Sequence, residues 1–128
     1  MFRIFLAFSA LNGFLAVALG AFGAHGLRQR LAPLADGVQR LDWWRTAAHF
    51  HLFHALALGL VALLAGRVPA APLSIAGWAF VAGIALFSGS LYAMVLTGLR
   101  ALGPITPVGG VCFLIGWAAL AWAALRAR

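Results

Sequence analysis

The sequence predicts an all-α membrane protein in which four transmembrane helices form an antiparallel bundle. Of its 128 residues, 65% are hydrophobic and 9% are charged, whereas a soluble domain carries roughly 25% charged residues. A soluble domain of this size also leaves about a third of its unfolded surface exposed, so the apolar excess requires lipid as a solvent. The charges divide the chain into four uncharged runs, and each run reaches the ~20 residues of a spanning helix.

Charges and prolines set the expected helix boundaries within a single domain, residues 1–128. The helices are predicted at about residues 4–27, 46–66, 72–98 and 106–125. Pro69 and Pro72 interrupt the start of the third run, so its helix is predicted to begin at Pro72. The first run follows Arg3 as a secretory signal would, but it exceeds the roughly 7 to 15 apolar residues of such signals. We interpret it as a retained first helix.

The connection between the first two helices, residues 28–45, is predicted to lie at the membrane interface. Asp36 followed by Gln39 resembles a capping box, so a surface helix is expected to start there and to turn into the membrane at its end. The adjacent Trp43 and Trp44 are expected to mark the level of the lipid headgroups.

Small residues recur at helical spacing on the first and last helices. In a bilayer, helices associate through close packing of small residues rather than through burial of more leucine, so these stripes are expected to face other helices. The positions assigned to helix packing are Gly13, Ala16, Gly20, Gly109 and Gly116. The stripes offer more contact surface than a lone bundle needs, which predicts a homo-oligomer or a subunit of a larger membrane complex. Leucine at Gly13 or Gly116 is predicted to loosen that assembly.

All nine cationic side chains are arginines, and they are scattered between the apolar segments. This placement favours anchoring to the lipid bilayer and argues against nucleic acid as a partner. The positive-inside rule does not determine the orientation in the membrane, because four arginines lie on the side of the termini and five on the other side. The four are Arg3, Arg67, Arg126 and Arg128. Cytoplasmic termini are the working expectation. The single Cys112 excludes an intramolecular disulfide.

Polar side chains concentrate in the half of the bilayer that lies opposite the termini. Ionisable groups inside a membrane usually face a bundle interior and mark function, so we predict a pocket in which His25, His54 and Tyr92 converge with Thr106 at its rim. The residues assigned to ligand binding are Asn12, His25, His54, Ser88, Ser90, Tyr92 and Thr106. The alternative is that the histidines only join helices by hydrogen bonds. Likewise, Thr106 is expected to cap the fourth helix, either beside a ligand or for stability alone.

Metal or haem ligation is the competing interpretation. Imidazole suits zinc, copper and iron, and His25, His51 and His54 are the candidate ligands. A di-iron bundle requires Glu-x-x-His pairs, and the chain contains no glutamate. Both acids, Asp36 and Asp42, lie in the surface connection, so a catalytic triad is unsupported. The chain is therefore not expected to be an enzyme, and a cofactor is not identified.

Four segments resemble the YgdD-type family of small membrane proteins, known as domain of unknown function 423. They are GAFGAHGL at residues 20–27, HALAL at 54–58, FSGSLY at 87–92 and ITPVGG at 105–110, with shorter matches at 12–13, 46–47 and 116–117. The resemblance implies a four-helix protein of the bacterial inner membrane and supplies no established activity. His49 and His51 fall outside the recognised segments, which lowers their priority.

Together these observations predict a non-enzymatic membrane protein. It is expected to be an accessory or assembly subunit, or a small binder or transporter of a solute. Transport by one copy is disfavoured, because four helices enclose little aqueous volume and the membrane segments carry no carboxylate for ion coupling.

Overall fold

A computed structural model describes residues 1–127, and four long helices account for most of them. The helices are α1 (Phe2–Leu31), α2 (Gly37–Leu64), α3 (Ala70–Thr97) and α4 (Ile105–Leu125). Each forms in a run of apolar residues long enough to cross a bilayer, and a single 3₁₀ turn, Arg100–Leu102, precedes α4. The predicted all-α fold with four membrane helices is confirmed. Arg128, counted above with the arginines beside the termini, lies outside the described residues.

The two middle helices form the centre of the bundle. α1 packs mainly along α2, and α4 packs mainly along α3. One apolar core is built around Leu58, Leu73 and Phe80, and a second lies around Trp44 and Val95, nearer the α1–α2 connection. Because α1 has only one helix along its length, most of its surface is left to lipid.

Two glycines with positive φ end helices and reverse the chain. Gly98 follows α3 with φ +74°, and its N–H donates to the Met94 carbonyl at 2.9 Å. Gly66 has φ +85° in the turn between α2 and α3. Glycine reaches this left-handed region without the clash that a Cβ creates, so the chain can turn back directly after each helix.

The connection between α1 and α2 is shorter than predicted. α1 continues to Leu31 and α2 begins at Gly37, so most of residues 28–45 are helical and belong to the bundle. Asp36 does not complete a capping box: its Oδ2 accepts a hydrogen bond from Arg40 Nε at 3.0 Å, and no side chain caps α2. The hydrogen bond from Arg40 lowers the pKa of Asp36. The helices extend because polar side chains on their outer faces tolerate the headgroup region while the inner faces stay packed.

Trp44 faces the other helices, whereas an interfacial marker would face the lipid headgroups. Its side chain is 1% exposed, and its Nε1 donates to the Leu19 carbonyl at 2.7 Å. The indole also packs against Phe22 and Tyr92, with ring centroids 5.6 and 4.6 Å away. The first turns of α2 therefore belong to the core, because α1 runs alongside them. Trp43 is only half-buried.

Two of the small residues on α4 lie where α3 crosses it. A Cβ on Gly109 would meet the backbone of Phe87, and a Cβ on Gly116 would meet the ring of Phe80. The closeness of these contacts is possible only for glycine. Leucine at Gly116 would therefore disrupt the core of one chain, so this substitution cannot report on an assembly by itself, and the assembly stays a prediction.

The stripe on α1 is only partly used within the chain. Ala16 is buried at 3% exposure. Gly13 and Gly20, however, have no atom within 4 Å of the position that a Cβ would take. They flank the buried edge of α1 and do not bring it closer to α2. In the described chain, the packing role assigned to these two glycines is therefore not fulfilled.

Antiparallel spans in even number place both termini on one side of the membrane. In a Cys112→Ser background, single cysteines at Phe2 and Ala127 should react with a membrane-impermeant maleimide from the same side, and cytoplasmic termini would make both reactive only after permeabilisation. A cysteine at Pro33, in the α1–α2 connection, should show the opposite behaviour. If the two terminal cysteines reacted from opposite sides of the membrane, the four-span topology would be contradicted.

Candidate functional site

The most connected polar group in the membrane is His51, which joins three helices. Its side chain is 4% exposed. Its Nδ1 lies 3.1 Å from the Tyr92 hydroxyl on α3, and its Nε2 lies 3.0 Å from Asn12 Oδ1 on α1. Asn12 Nδ2 in turn donates to the Phe8 carbonyl at 2.8 Å. A residue of low priority in the sequence analysis therefore lies at the centre of the polar network.

The partners of His51 fix which nitrogen carries the proton. Because the Asn12 amide donates to Phe8, its oxygen faces His51 and must accept, so Nε2 of His51 carries the hydrogen. Nδ1 is then the acceptor and receives the hydrogen of the Tyr92 hydroxyl. The network runs in one direction from Tyr92 through His51 and Asn12 to a backbone carbonyl.

His54 is also buried, at 5% exposure, but it faces α4. Its Nδ1 lies 2.7 Å from the Phe50 carbonyl, and its Nε2 accepts from Trp117 Nε1 at 3.1 Å. The imidazole stacks on Phe113 with centroids 3.5 Å apart and ring planes 10° apart. A carbonyl only accepts and an indole only donates, so Nδ1 carries the hydrogen. His51 and His54 thus hold opposite neutral tautomers.

These hydrogen bonds leave neither buried histidine free to bind a metal. A neutral imidazole has one nitrogen lone pair to give, and here Tyr92 and Trp117 occupy the lone pairs of His51 and His54. In the described part of the chain, no group of three His, Cys, Asp or Glu side chains is placed to hold a metal ion. The set proposed from sequence, His25 with His51 and His54, is therefore not assembled.

Hydroxyl groups on α3 join it to both α2 and α4. Ser88 Oγ, fully buried, donates to the Ala47 carbonyl at 2.8 Å. Ser90 Oγ lies 2.6 Å from Thr106 Oγ1 and 3.0 Å from the Phe87 carbonyl. Thr106 is not the N-cap of α4 as predicted, because the helix begins one residue before it and its hydroxyl pairs with Ser90. These side chains connect helices, and Thr106 also lines a cleft of about 440 Å³ beside Trp43 and Arg100.

His25 lies apart from the other candidates. It is exposed, whereas its neighbours Gly23 and Leu27 are buried against α2. His25 stands two residues from each of them, which is about half a turn around the helix, and so it points away from the bundle. The predicted pocket shared by His25, His54 and Tyr92 is wrong: Tyr92 contacts His51, and His54 faces α4.

Two helices contain π-helical segments, which the sequence analysis missed. They are Gly23–Leu27 in α1 and Ile84–Ser88 in α3. A π segment inserts one residue into an α-helix and is frequent at functional sites. In α3 the segment brings Ser88 to α2 while the backbone of Phe87 meets α4. The first segment lies within the motif GAFGAHGL, and the second ends on the first two residues of FSGSLY.

The buried polar groups are mutually satisfied. Throughout residues 1–127, each fully buried side-chain nitrogen or oxygen has a hydrogen-bond partner. Unpaired polar groups inside a membrane cost free energy, so these pairs stabilise one arrangement of the four helices. The geometry defines a polytopic membrane protein whose interior polar residues join helices.

Comparison with known proteins identifies the family. The family model described as "Protein of unknown function (DUF423)" matches residues 19–110, and the chain belongs to this family. It is 43% identical over 125 residues to the UPF0382 membrane protein YwdK of Bacillus subtilis (strain 168), covering 97% of this chain and 98% of that protein. No solved structure matches the chain.

Relatives in other bacteria carry the same description. A UPF0382 membrane protein of Haemophilus influenzae (strain Rd) is 43% identical over 125 residues, which is 97% of this chain and 95% of the relative. UPF0382 membrane protein SAB0533 of Staphylococcus aureus is 43% identical over 115 residues, covering 90% and 89%. With four membrane-spanning helices, the chain is a multi-pass bacterial membrane protein.

Proposed function

We propose that this protein is a non-enzymatic accessory subunit of a membrane complex, which holds a helix of another protein in the groove between α2 and α4. The observation that carries the proposal is the groove itself, of about 430 Å³, along the apolar part of α2. It is lined by Phe50, Phe53, His54, Leu56, Ala57, Leu60 and Trp117.

The groove has the dimensions and chemistry of a helix-packing surface. Phe53 and Leu56 are each 64% exposed, and Ala57 at its floor leaves room for a side chain from outside. The polar atoms of His54 and Trp117 are bonded to each other. Without a free donor or acceptor, the groove favours apolar side chains over a polar solute.

A solute transporter receives less support from the same geometry. The buried polar groups bond to one another, which leaves no polar lining for a path. Metal or haem binding would require breaking the Tyr92–His51 or Trp117–His54 hydrogen bond. An accessory role requires none of these hydrogen bonds to break.

Filling the groove should release the partner. Leu60, in the groove, is 42% exposed, and Leu6, on α1 outside it, is 43% exposed, so Leu60→Trp and Leu6→Trp form a matched pair. In mild detergent, wild type and Leu6→Trp should migrate with a second polypeptide in fixed stoichiometry, while Leu60→Trp should lose most of that polypeptide. Native mass and mass spectrometry of the purified assembly measure this.

Three results would overturn the proposal. A wild-type mass of one 13.4 kDa protomer would exclude a stable partner. A mass in multiples of one protomer would indicate a homo-oligomer instead. Retention of the partner by Leu60→Trp would show that it binds elsewhere.

A further inference from the structure

A second cleft lies at the opposite end of the molecule from Asp36 and Asp42, beside the chain termini. It has a volume of about 620 Å³ and lies between the α2–α3 turn and the end of α4. Two arginines line it, Arg67 from the turn and Arg126 from the end of α4.

Both arginines that line the cleft have contacts that restrain their guanidinium groups. Arg67 Nη1 donates to the Leu63 carbonyl at 3.2 Å, which fixes the side chain at the end of α2. The Arg126 guanidinium lies 5.4 Å from the centre of the Trp122 ring. Each retains further N–H donors, because a guanidinium has five.

Among residues 1–127, the charged side chains in this region are all arginines. The only acidic side chains of the sequence, Asp36 and Asp42, lie at the far end of the bundle. There Asp36 pairs with Arg40 at 3.0 Å and Arg100 at 3.5 Å, and Asp42 pairs with Arg45 at 3.5 Å. The arginines near the termini have no side-chain carboxylate to neutralise them, so the cleft attracts anions.

We propose that this cleft binds the phosphodiester headgroup of an anionic phospholipid, with Arg67 and Arg126 donating to the phosphate oxygens. Arginine forks match phosphate geometry. Val68, Pro69 and Pro72 add an apolar wall, which suits the glycerol and first methylenes of a lipid and offers nothing to a free phosphate ion. Trp122, 51% exposed beside them, lies in the last turn of α4, and tryptophans near the ends of membrane helices meet headgroups.

The test compares two double variants of equal net charge. Arg67→Gln/Arg126→Gln removes the cleft arginines, and Arg28→Gln/Arg30→Gln removes two exposed arginines from the opposite end. Delipidated protein in neutral detergent is titrated with phosphatidylglycerol, with phosphatidylcholine as the reference lipid, and binding is measured by native mass spectrometry and by the rise in Tm. Each arginine near a membrane surface contributes roughly fivefold in affinity, so the cleft variant should bind phosphatidylglycerol about 25-fold more weakly.

The opposite-end variant should bind phosphatidylglycerol as wild type does, and inorganic phosphate should not compete. If both double variants bound phosphatidylglycerol equally weakly, the effect would come from overall charge, and the proposal of a lipid site in the cleft would be overturned. Competition by millimolar inorganic phosphate would make it a site for free anions and overturn the lipid assignment. If the double cleft variant fails to fold, Arg126→Gln alone keeps the Arg67–Leu63 bond and should lose roughly fivefold; unchanged binding by it would equally overturn the proposal. The site does not depend on a partner in the α2–α4 groove.

Discussion

Replacing Gly109 with alanine should destabilise the protein by about 3 kcal/mol, at the upper end of the usual cost of overpacking. The added methyl would collide with the backbone of Leu86 and Phe87 on α3. A flexible side chain could turn aside from such a collision, but a helix backbone shifts only by moving α3 away from α4. That movement would also stretch the Ser90–Thr106 hydrogen bond, which is 2.6 Å long.

Gly110 supplies the control for this prediction. A Cβ there would lie 3.9 Å from Phe87 Cδ2, an ordinary contact. Alanine is favoured over glycine in helices by about 1 kcal/mol, so Gly110→Ala should be neutral or slightly stabilising. Reversible unfolding in mixed micelles gives both free energies of unfolding. Equal effects at the two positions would show that α3 and α4 are not in close contact at Gly109.

The number and order of the helices could be predicted because they depend on run length. An apolar stretch of ~20 residues bounded by charge has few alternatives in a bilayer. Helix ends were less predictable. α1 continues past Arg28 and α2 begins before Arg45, because the polar residues there lie on the outer faces. Trp44 shows the consequence: a tryptophan near the end of an apolar run resembles an interfacial anchor, and only the neighbouring α1 reveals it as core.

The sequence could predict that polar residues of different helices would lie near one another, but it could not predict which of them form hydrogen bonds. Sequence placed Ser88, Ser90, Tyr92 and Thr106 near one another, and the structure joins Ser90 to Thr106. The His51–Asn12 bond was missed because α2 was predicted to begin at residue 46, which put His51 near the membrane surface, whereas α2 begins at Gly37 and His51 lies midway along it. The π-helical segments had no signal in hydropathy. Inserting one residue rotates the following side chains around the helix axis, so the predicted directions of residues beyond the insertion were unreliable.

Removing the imidazole of His51 should cost about 2 kcal/mol of stability, the second large effect that the structure predicts. His51→Leu keeps an apolar side chain of similar size but leaves the Tyr92 hydroxyl and Asn12 Oδ1 without their partner. One interhelical hydrogen bond in a membrane is worth ~0.6 kcal/mol on average and ~1.7 kcal/mol at most. The larger figure is expected here because two bonds break and two buried polar groups lose their partner.

A double-mutant cycle separates this network from loss of packing. Tyr92→Phe should cost about 1 kcal/mol in wild type and close to nothing in His51→Leu, because the hydroxyl has already lost its acceptor. His49→Leu is the matched control, since His49 is exposed two residues earlier on the same helix, and its effect should be close to zero. If Tyr92→Phe costs the same in both backgrounds, the Tyr92–His51 hydrogen bond does not stabilise the fold. If His49→Leu is as damaging as His51→Leu, the cost of His51→Leu does not come from the buried hydrogen bonds of His51.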